Sequence, residues 1–325
     1  MTAVEPGSIG ATAQEVLRTQ FAAMQSHAPG AREGADPEEV HDMRVSIRRL
    51  RAALRAFDDV LPDSWESVSP ELKWLGTSLS AVRDLDVQLD QLRTWKATLS
   101  KAEQAPMDQL LELLAEQRQQ ARESLLLSLD SARYAALTNE AQALLEAAPP
   151  AAAAEPLAIR GPRLIERSYR KLRKRGDPLD SQSRAEDLHK LRIQAKRLRY
   201  LVEFVGGAYG QAGQRLVRQL TRLQDVLGSH QDAQVATAAL RALLTERRDS
   251  LEPELGWVMG EIAERYATNA ADMRKQFGKT YRGVVGKRWR RLRKVMQAVP
   301  PPPPLATRVS LAELVDLATA APESP

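Results

Sequence analysis

Two stretches of this chain carry histidine, arginine and lysine at a spacing suited to holding phosphate. The first is His41, Arg44, Arg48, Arg51 and Arg55, with Arg49 beside them; the second is His189, Arg192, Lys196 and Arg199, with Arg197 beside them. A shift of 148 positions superposes them without a gap: His41 on His189, Arg44 on Arg192, Arg48 on Lys196, Arg49 on Arg197, Arg51 on Arg199. A guanidinium fork bonds two phosphate oxygens at once, whereas an ammonium acts as a point charge. Imidazole can donate to phosphate, and nearby phosphates favour its charged form. On a helix, steps of three and four residues advance about 4.5–6 Å, so a chain of anions can bridge successive cations.

The alternative reading of a charge run is a solvated helix face. Such a face normally mixes acids with bases, because like charges at i,i+4 repel by a few tenths of a kcal/mol. These stripes hold four or more cations in succession with no acid between them. On a helical wheel Val40, Met43, Ile47, Leu50, Leu54 and Phe57 form a core-facing arc of about 100°, and the cations occupy the adjoining arc of about 80°. Leu188, Leu191, Ala195, Leu198 and Val202 repeat that apolar arc. A cationic stripe bordering a buried one predicts a groove between helices.

Other chemistry is weaker. His41, His189 and His230 with Asp84 and Asp232 supply no pair of ligands on one helical face, so no metal site is expected. Asp84 and Asp86 point about 200° apart on a helix, which favours salt bridges over magnesium. Asp84 and Asp232 are expected to orient the signature cations. No P-loop and no acid–base partner for a phosphohistidine is present, so the chain reads as a non-enzyme without cofactors. There is no cysteine, hence no disulfide, thiolate nucleophile or cysteine metal site.

The elements that position these residues read as helices throughout. Good helix formers dominate and β-branched residues rarely alternate. Asp36-Pro37-Glu38-Glu39 offers an N-cap, a first-turn proline and acids at the positive helix end. Ser183 with Glu186 reads as a capping box for the second copy, and Gly206-Gly207 as its stop. The 148-residue register also pairs Phe21 with Tyr169, Met24 with Leu172, Leu79 with Leu227, Asp84 with Asp232 and Val87 with Val235. A duplicated helical unit follows, about 10–147 and 157–297, with an Ala/Pro-rich linker over 148–156. Pro300–Pro304 reads as a stiff spacer, and Val309–Thr319 as one short helix on a tail over 298–325.

The net charge is +5, but it is segregated. Windows 40–57, 167–175, 188–205 and 281–294 hold 23 basic residues and two acids, so they carry +21 and the remainder −16. A basic face in an acidic shell favours a polyanion at one place. Aromatics are 5% of the chain and the stripes carry none, with Tyr200 and Phe204 reading as core. Single-strand binders need stacking platforms, so inorganic polyphosphate fits better than nucleic acid, although backbone contact to a duplex stays open. The runs Arg170–Arg175 and Lys287–Lys294 either widen this surface or are simply exposed; Arg170, Lys171 and Lys174 form a second rank with Arg83 and His230. No apolar run reaches the roughly 18 residues of a membrane span, and Met1–Gly10 lacks a signal pattern. A cytoplasmic protein is expected.

The motifs Val40-His41-Asp42-Met43-Arg44-Val45 with Arg48-Arg49-Leu50-Arg51, and Val82-Arg83-Asp84-Leu85-Asp86-Val87, resemble the CHAD family, the conserved histidine α-helical domain. Leu188-His189-Lys190-Leu191-Arg192-Ile193 with Lys196-Arg197-Leu198-Arg199-Tyr200, and Leu227-Gly228-Ser229-His230-Gln231-Asp232-Ala233, complete the match over about 10–297. The resemblance implies an all-α domain of two pseudo-symmetric antiparallel four-helix bundles around a central basic groove or pore. It implies inorganic polyphosphate as ligand, recruitment to bacterial polyphosphate granules, and His41, Arg44, Arg48, Arg49, Arg51, His189, Arg192, Lys196, Arg197 and Arg199 as groove residues. Family members often accompany a CYTH triphosphatase, fused or encoded nearby. The Glu-x-Glu-x-Lys signature of that domain is absent here, so the chain resembles the stand-alone type.

Overall fold

In both halves the apolar stripe of the signature helix is buried, and the remaining helices are arranged around it. Val40, Met43, Ile47, Leu50, Leu54 and Phe57 are all buried, as are Leu188, Leu191, Ala195, Leu198 and Val202. The computed structural model describes residues 7–147, 151–246 and 251–298. The first half runs α1 (Ile9–Glu33), α2 (Pro37–Ala56), α3 (Trp65–Lys96), α4 (Lys101–Leu129) and α5 (Ala132–Glu146). The second runs α6 (Leu157–Gly176), α7 (Ala185–Val205), α8 (Gly210–Glu246), α9 (Pro253–Gly283) and α10 (Trp289–Ala298). Short 3-10 turns precede α6 and α8, and a π-helical segment, Val284–Arg288, joins α9 to α10. The described residues contain no strand beyond one isolated bridge between Ser8 and Pro156. That bridge ties the starts of the two halves: Ile9 N–H donates to Glu155 O at 2.9 Å, and Leu157 N–H to Gly7 O at 2.8 Å.

Local chemistry sets the helix ends around the site. Gly34 adopts a left-handed φ of 74° and its N–H donates to Gly30 O, closing α1 so that α2 can fold back on it. Asp36 caps α2 by accepting from Glu38 N–H at 2.9 Å, with Pro37 in the first turn. The second copy is capped differently from the sequence expectation. Ser183 accepts from Asp180 N–H and donates to the Asp180 carboxylate. The helix starts two residues later with Arg184 as an N-cap whose side chain makes no capping bond and pairs instead with Glu186 at 2.8 Å. A competing Asx-type turn has taken the serine. α7 ends at Val205, where Gly206 opens the 3-10 turn.

The cores do not divide into two separate bundles. Each half contributes five α-helices, and one hydrophobic core runs continuously from α1 to α10, with Phe57 and Phe204 meeting at 6.1 Å across the halves. A second core lies where the distal ends of the long hairpins meet: Leu89, Leu92, Met107 and Leu110 from α3–α4 against Leu240, Leu243, Leu255 and Val258 from α8–α9. These hairpin helices are 29 to 37 residues long, too long for the shorter α1, α2, α6 and α7 to cover. Their free ends bury each other instead. In the 148-residue register α2 and α7 start together and Val87 and Val235 are alike in exposure, at 54% and 55%, whereas α5 and α10 start 157 residues apart. No described helix is long and apolar enough to cross a membrane. Part of the linker (148–150) and the spacer and short helix expected over 300–319 lie outside the described residues.

Candidate functional site

Helices α2 and α7 pack side by side and run in the same direction. Their amino-terminal parts bring Arg44 and Arg48 towards Arg192 and Lys196, and their carboxy-terminal parts bring Arg49 against Tyr200, Glu203 and Phe204. Burying both apolar stripes in one core leaves the adjoining cationic stripes facing each other. The repulsion is visible in protonation. The Lys196 ammonium is pushed down to about 7 by burial first, then by Arg192, Arg48 and Arg44, with Asp232 opposing. Arg44 is also lowered, by burial and then by Arg48, Arg83 and Arg192, against the pull of Asp84.

Asp84 on α3 and Asp232 on α8 flank this cluster, and they are used unequally. Asp84 accepts from Arg44 at 3.3 Å. Asp232 makes no ion pair within 4 Å among the described residues. Its side chain is exposed, and its carboxyl is raised by lost solvation and by Asp84, with Arg192, Lys196 and Arg44 opposing. The second difference sits directly beneath the arginines. Arg44 Nε donates to Ser80 Oγ at 2.8 Å. In the 148-residue register the counterpart of Ser80 is Gly228, and Arg192 Nε there is buried without a partner. A Cβ added at Gly228 would lie 3.5 Å from Arg192 Nε, an ordinary contact.

Several other signature donors share that state. Nδ1 of His41 and of His189, and Nε of Arg48, Arg51, Arg83 and Arg199, are buried and unpartnered. A buried donor left unpaired costs about 1–3 kcal/mol, so such a cluster is rare in a region with only a structural role. His41 is held below its ordinary value by burial, then by Arg83 and Arg48, with Glu38 and Asp42 opposing. Arg83, from α3, is paired with Glu38 at 3.1 Å and lies at the edge of the cluster.

A second cationic group lies further along. Arg51 is lowered by burial and by Arg55, and Arg197 by burial, Arg55 and Arg175. Arg55 and Arg197 are exposed. Arg175 joins them from the carboxy-terminal end of α6, a contribution sequence spacing did not single out. Arg170, Lys171 and Lys174 are exposed on α6, on no shared face with the cluster that their contacts establish.

Three expected site residues serve the fold instead. Arg49 donates to Glu203 at 2.7 Å and lies 5.7 Å and 5.6 Å from the ring centroids of Tyr200 and Phe204. Arg199 approaches the same carboxylate at 3.6 Å, donates to Thr221 at 3.4 Å and stacks over Tyr200 at 4.8 Å. The two arginines thus clamp one half-buried carboxylate across the α2/α7 seam, although the Arg199 Nε keeps no good hydrogen bond. His230 is 4% exposed and lowered by burial and by Arg274 of α9, behind the groove and out of reach of a ligand. A wheel drawn for one helix cannot foresee either outcome, because both partners come from other helices.

Glu203→Gln tests the clamp. Losing the shared charge should cost about 1–3 kcal/mol of stability, read as a lower melting temperature, while adding one net positive charge to the seam. Gly228→Ser tests the asymmetry. The new hydroxyl should accept from Arg192 Nε as Ser80 does from Arg44 and, by satisfying an enclosed donor, add about 0.5–1.5 kcal/mol of stability, read as a higher melting temperature. An unchanged or lower melting temperature would show that the unpaired Nε is not the cost assigned to it.

The comparisons agree with this geometry. The family model described as CHAD domain matches residues 15–241. The crystal structure of the CHAD domain from the plant Ricinus communis superposes with a TM-score of 0.69 at 25% identity, over 93% of this chain and 96% of that one. PptA from Streptomyces chartreusis superposes with a TM-score of 0.66 at 21% identity, over 85% of this chain and 99% of that one, a likeness of fold. Two uncharacterized proteins of Mycobacterium tuberculosis, from strains CDC 1551 / Oshkosh and ATCC 25618 / H37Rv, are 29% identical over 211 residues. The aligned stretch is 61% of this chain but only 39% of those relatives' length. With its two matched histidine–arginine helices packed along one seam, the chain belongs to the CHAD domain family.

Proposed function

We propose that this chain is a non-enzymatic binding module for inorganic polyphosphate, with the α2/α7 groove as its site. The observation that carries the reading is the meeting of Arg44 and Arg48 with Arg192 and Lys196, where burial and then the neighbouring guanidinium groups lower Arg44 and Lys196, beside Asp84 and Asp232. A repeating phosphate anion relieves that repulsion at several points at once, which a single orthophosphate cannot. His41 and His189 add donors at the groove's amino-terminal end, and Arg51, Arg55, Arg197 and Arg175 extend it the other way. Granule recruitment, alone or with a CYTH triphosphatase or another granule protein, follows as the cellular role in this reading. Nucleic acid fits less well, because Tyr200 and Phe204 are buried beneath Arg49 and offer no stacking face to a base.

Calorimetric titration with phosphate chains of defined length tests the proposal. Affinity should rise steeply from orthophosphate to long chains and fall with salt, as counterion release requires. Charge reversal at Arg48, Arg51, Arg192 and Lys196 should abolish binding with helicity intact. Equal affinity for orthophosphate and long polymer overturns the reading, and tighter binding of duplex DNA at the same salt replaces it with the nucleic-acid one.

Binding should also take up protons. Lys196 sits near 7 and His41 below its usual value in the free protein, and an adjacent polyanion raises both. The complex therefore binds more protons than its components wherever the free lysine is neutral. Affinity should weaken as pH rises through about 7 towards the ordinary lysine range, and titrations near pH 8 in buffers of different ionisation enthalpy should give different apparent heats. Lys196→Arg should flatten most of that dependence while keeping binding.

A further inference from the structure

The basic run Lys287–Lys294 is not part of the groove, and its surroundings differ from those of an ordinary exposed helix. A cavity of about 300 Å³ lies between the first turn of α8 and the junction of α9 with α10, lined by Ala212, Arg215, Lys287, Arg288 and Arg291. Ala212 and Gly228, under the groove, are 16 residues apart on α8, roughly 24 Å at the helical rise. The size is at the lower end for small-molecule sites. We propose that this cavity is a second anion site, built for a compact di- or triphosphate group.

Three observations carry the assignment. First, none of the four cations has a carboxylate within 4 Å among the described residues. Arg215 donates only to Gln211, and Arg288 only to the Gly283 carbonyl at 3.5 Å. Neighbouring cations outside the cavity are matched: Arg293 lies 3.5 Å from Glu166, and Arg173 is bonded to Asp177 at 2.6 Å. Second, the frame is rigid. Trp289 stacks on Tyr169 with centroids 3.6 Å apart and planes 7° from parallel, Leu292 and Met296 are buried, and the Tyr169 hydroxyl donates to Val285 O at 3.3 Å across the π-helical segment. Burying positions 289, 292 and 296 leaves Arg288 and Arg291, three apart, on one outward face. The π segment, with Gly286 out of helical conformation, sets Lys287 and Arg288 at the mouth of the cavity.

Third, the duplication supplies its own comparison. In the 148-residue register Arg215 corresponds to Ser67, and α5 packs on α3 as α10 packs on α8. There Ser67 Oγ donates to Glu140 Oε1 at 2.5 Å, so that corner carries an acid and is closed by its own hydrogen bond. The start of α3 thus meets an acid on α5, whereas the start of α8 meets cations at the α9/α10 junction. The cationic version presents three guanidinium forks and one ammonium, the donor set that matches the oxygens of linked phosphates. Its first-turn location on α8, which has no acid in that turn, adds a favourable backbone field.

The ligand has two sources with the same chemistry: a stretch of a long phosphate chain, or a separate small oligophosphate. The experiment titrates the full chain with tripolyphosphate and with long-chain polyphosphate, comparing wild type, Arg215→Gln/Arg291→Gln and the groove variant Arg48→Gln/Lys196→Gln. Melting curves check each fold, and Arg215→Gln alone serves if the double variant is unstable. Wild type should bind more than one tripolyphosphate. The cavity variant should lose one of these sites, with its affinity reduced tenfold or more, and the groove variant should retain it. A matching loss of long-chain affinity in the cavity variant assigns the site to the polymer; intact long-chain affinity assigns it to a separate small phosphate. Superimposable tripolyphosphate isotherms for wild type and the cavity variant overturn the proposal, and the groove variant's own loss keeps that failure separate from any failure of the groove reading.

Discussion

The structure depends on one constraint: on both signature helices the cationic stripe lies next to the apolar one, a quarter turn or so away. The packing that buries both apolar stripes in a common core also brings the cations of the two repeats together. The fold accepts that cost. Lys196 loses most of its proton affinity at the centre of the cluster, and Arg44 is lowered beside it. Two carboxylates, one pairing with Arg44 and the other only nearby, offset a part of it. An apolar substitute at these positions would remove the repulsion entirely, so the retained charge is what requires a functional account.

The two repeats share a register but not their chemistry. Ser80 occupies one arginine's Nε where Gly228 leaves the other's free. Arg55 extends the cationic surface, whereas its counterpart Glu203 is the carboxylate that Arg49 and Arg199 clamp. Where the first repeat has the guanidinium of Arg48, the second has Lys196, an ammonium pushed down to about 7. A two-fold symmetric groove would treat the two directions of a bound chain alike. This one pairs the Nε of Arg44 on the α2 side and places the lowered Lys196 on the α7 side, so the two directions differ.

What the sequence made legible was periodic. Buried and cationic stripes, the Asp36 cap and the end of α7 at Gly206 all follow from local spacing, and the structure has each of them. What it hid came from contacts between helices distant in the chain. Arg49 differs from Arg48 by one position, which turns it about 100° towards Tyr200 and Phe204 and makes it structural. His230 shares its motif with exposed residues but faces α9. Ser183 had two equivalent acceptor roles in sequence, and the Asp180 turn won. The number of cores was equally hidden, because two hairpin tips meeting far from the linker leave no mark on either half alone.

The buried Nε atoms fix the stems of the cluster's arginines, an arrangement that would suit the proposed ligand. In Arg48, Arg51 and Arg192 the Nε is enclosed by protein and unpartnered, while the terminal nitrogens, which make no protein hydrogen bond, stay reachable from solvent. The stems are therefore held and only the forks are presented. Most of the rotamer entropy that a long arginine loses on binding has already been given up in folding, so less of each new hydrogen bond is spent on ordering. The stability lost to those enclosed donors and crowded charges is the counterpart of that readiness. In the proposed reading, a chain of phosphates offsets that cost at every cation that it touches.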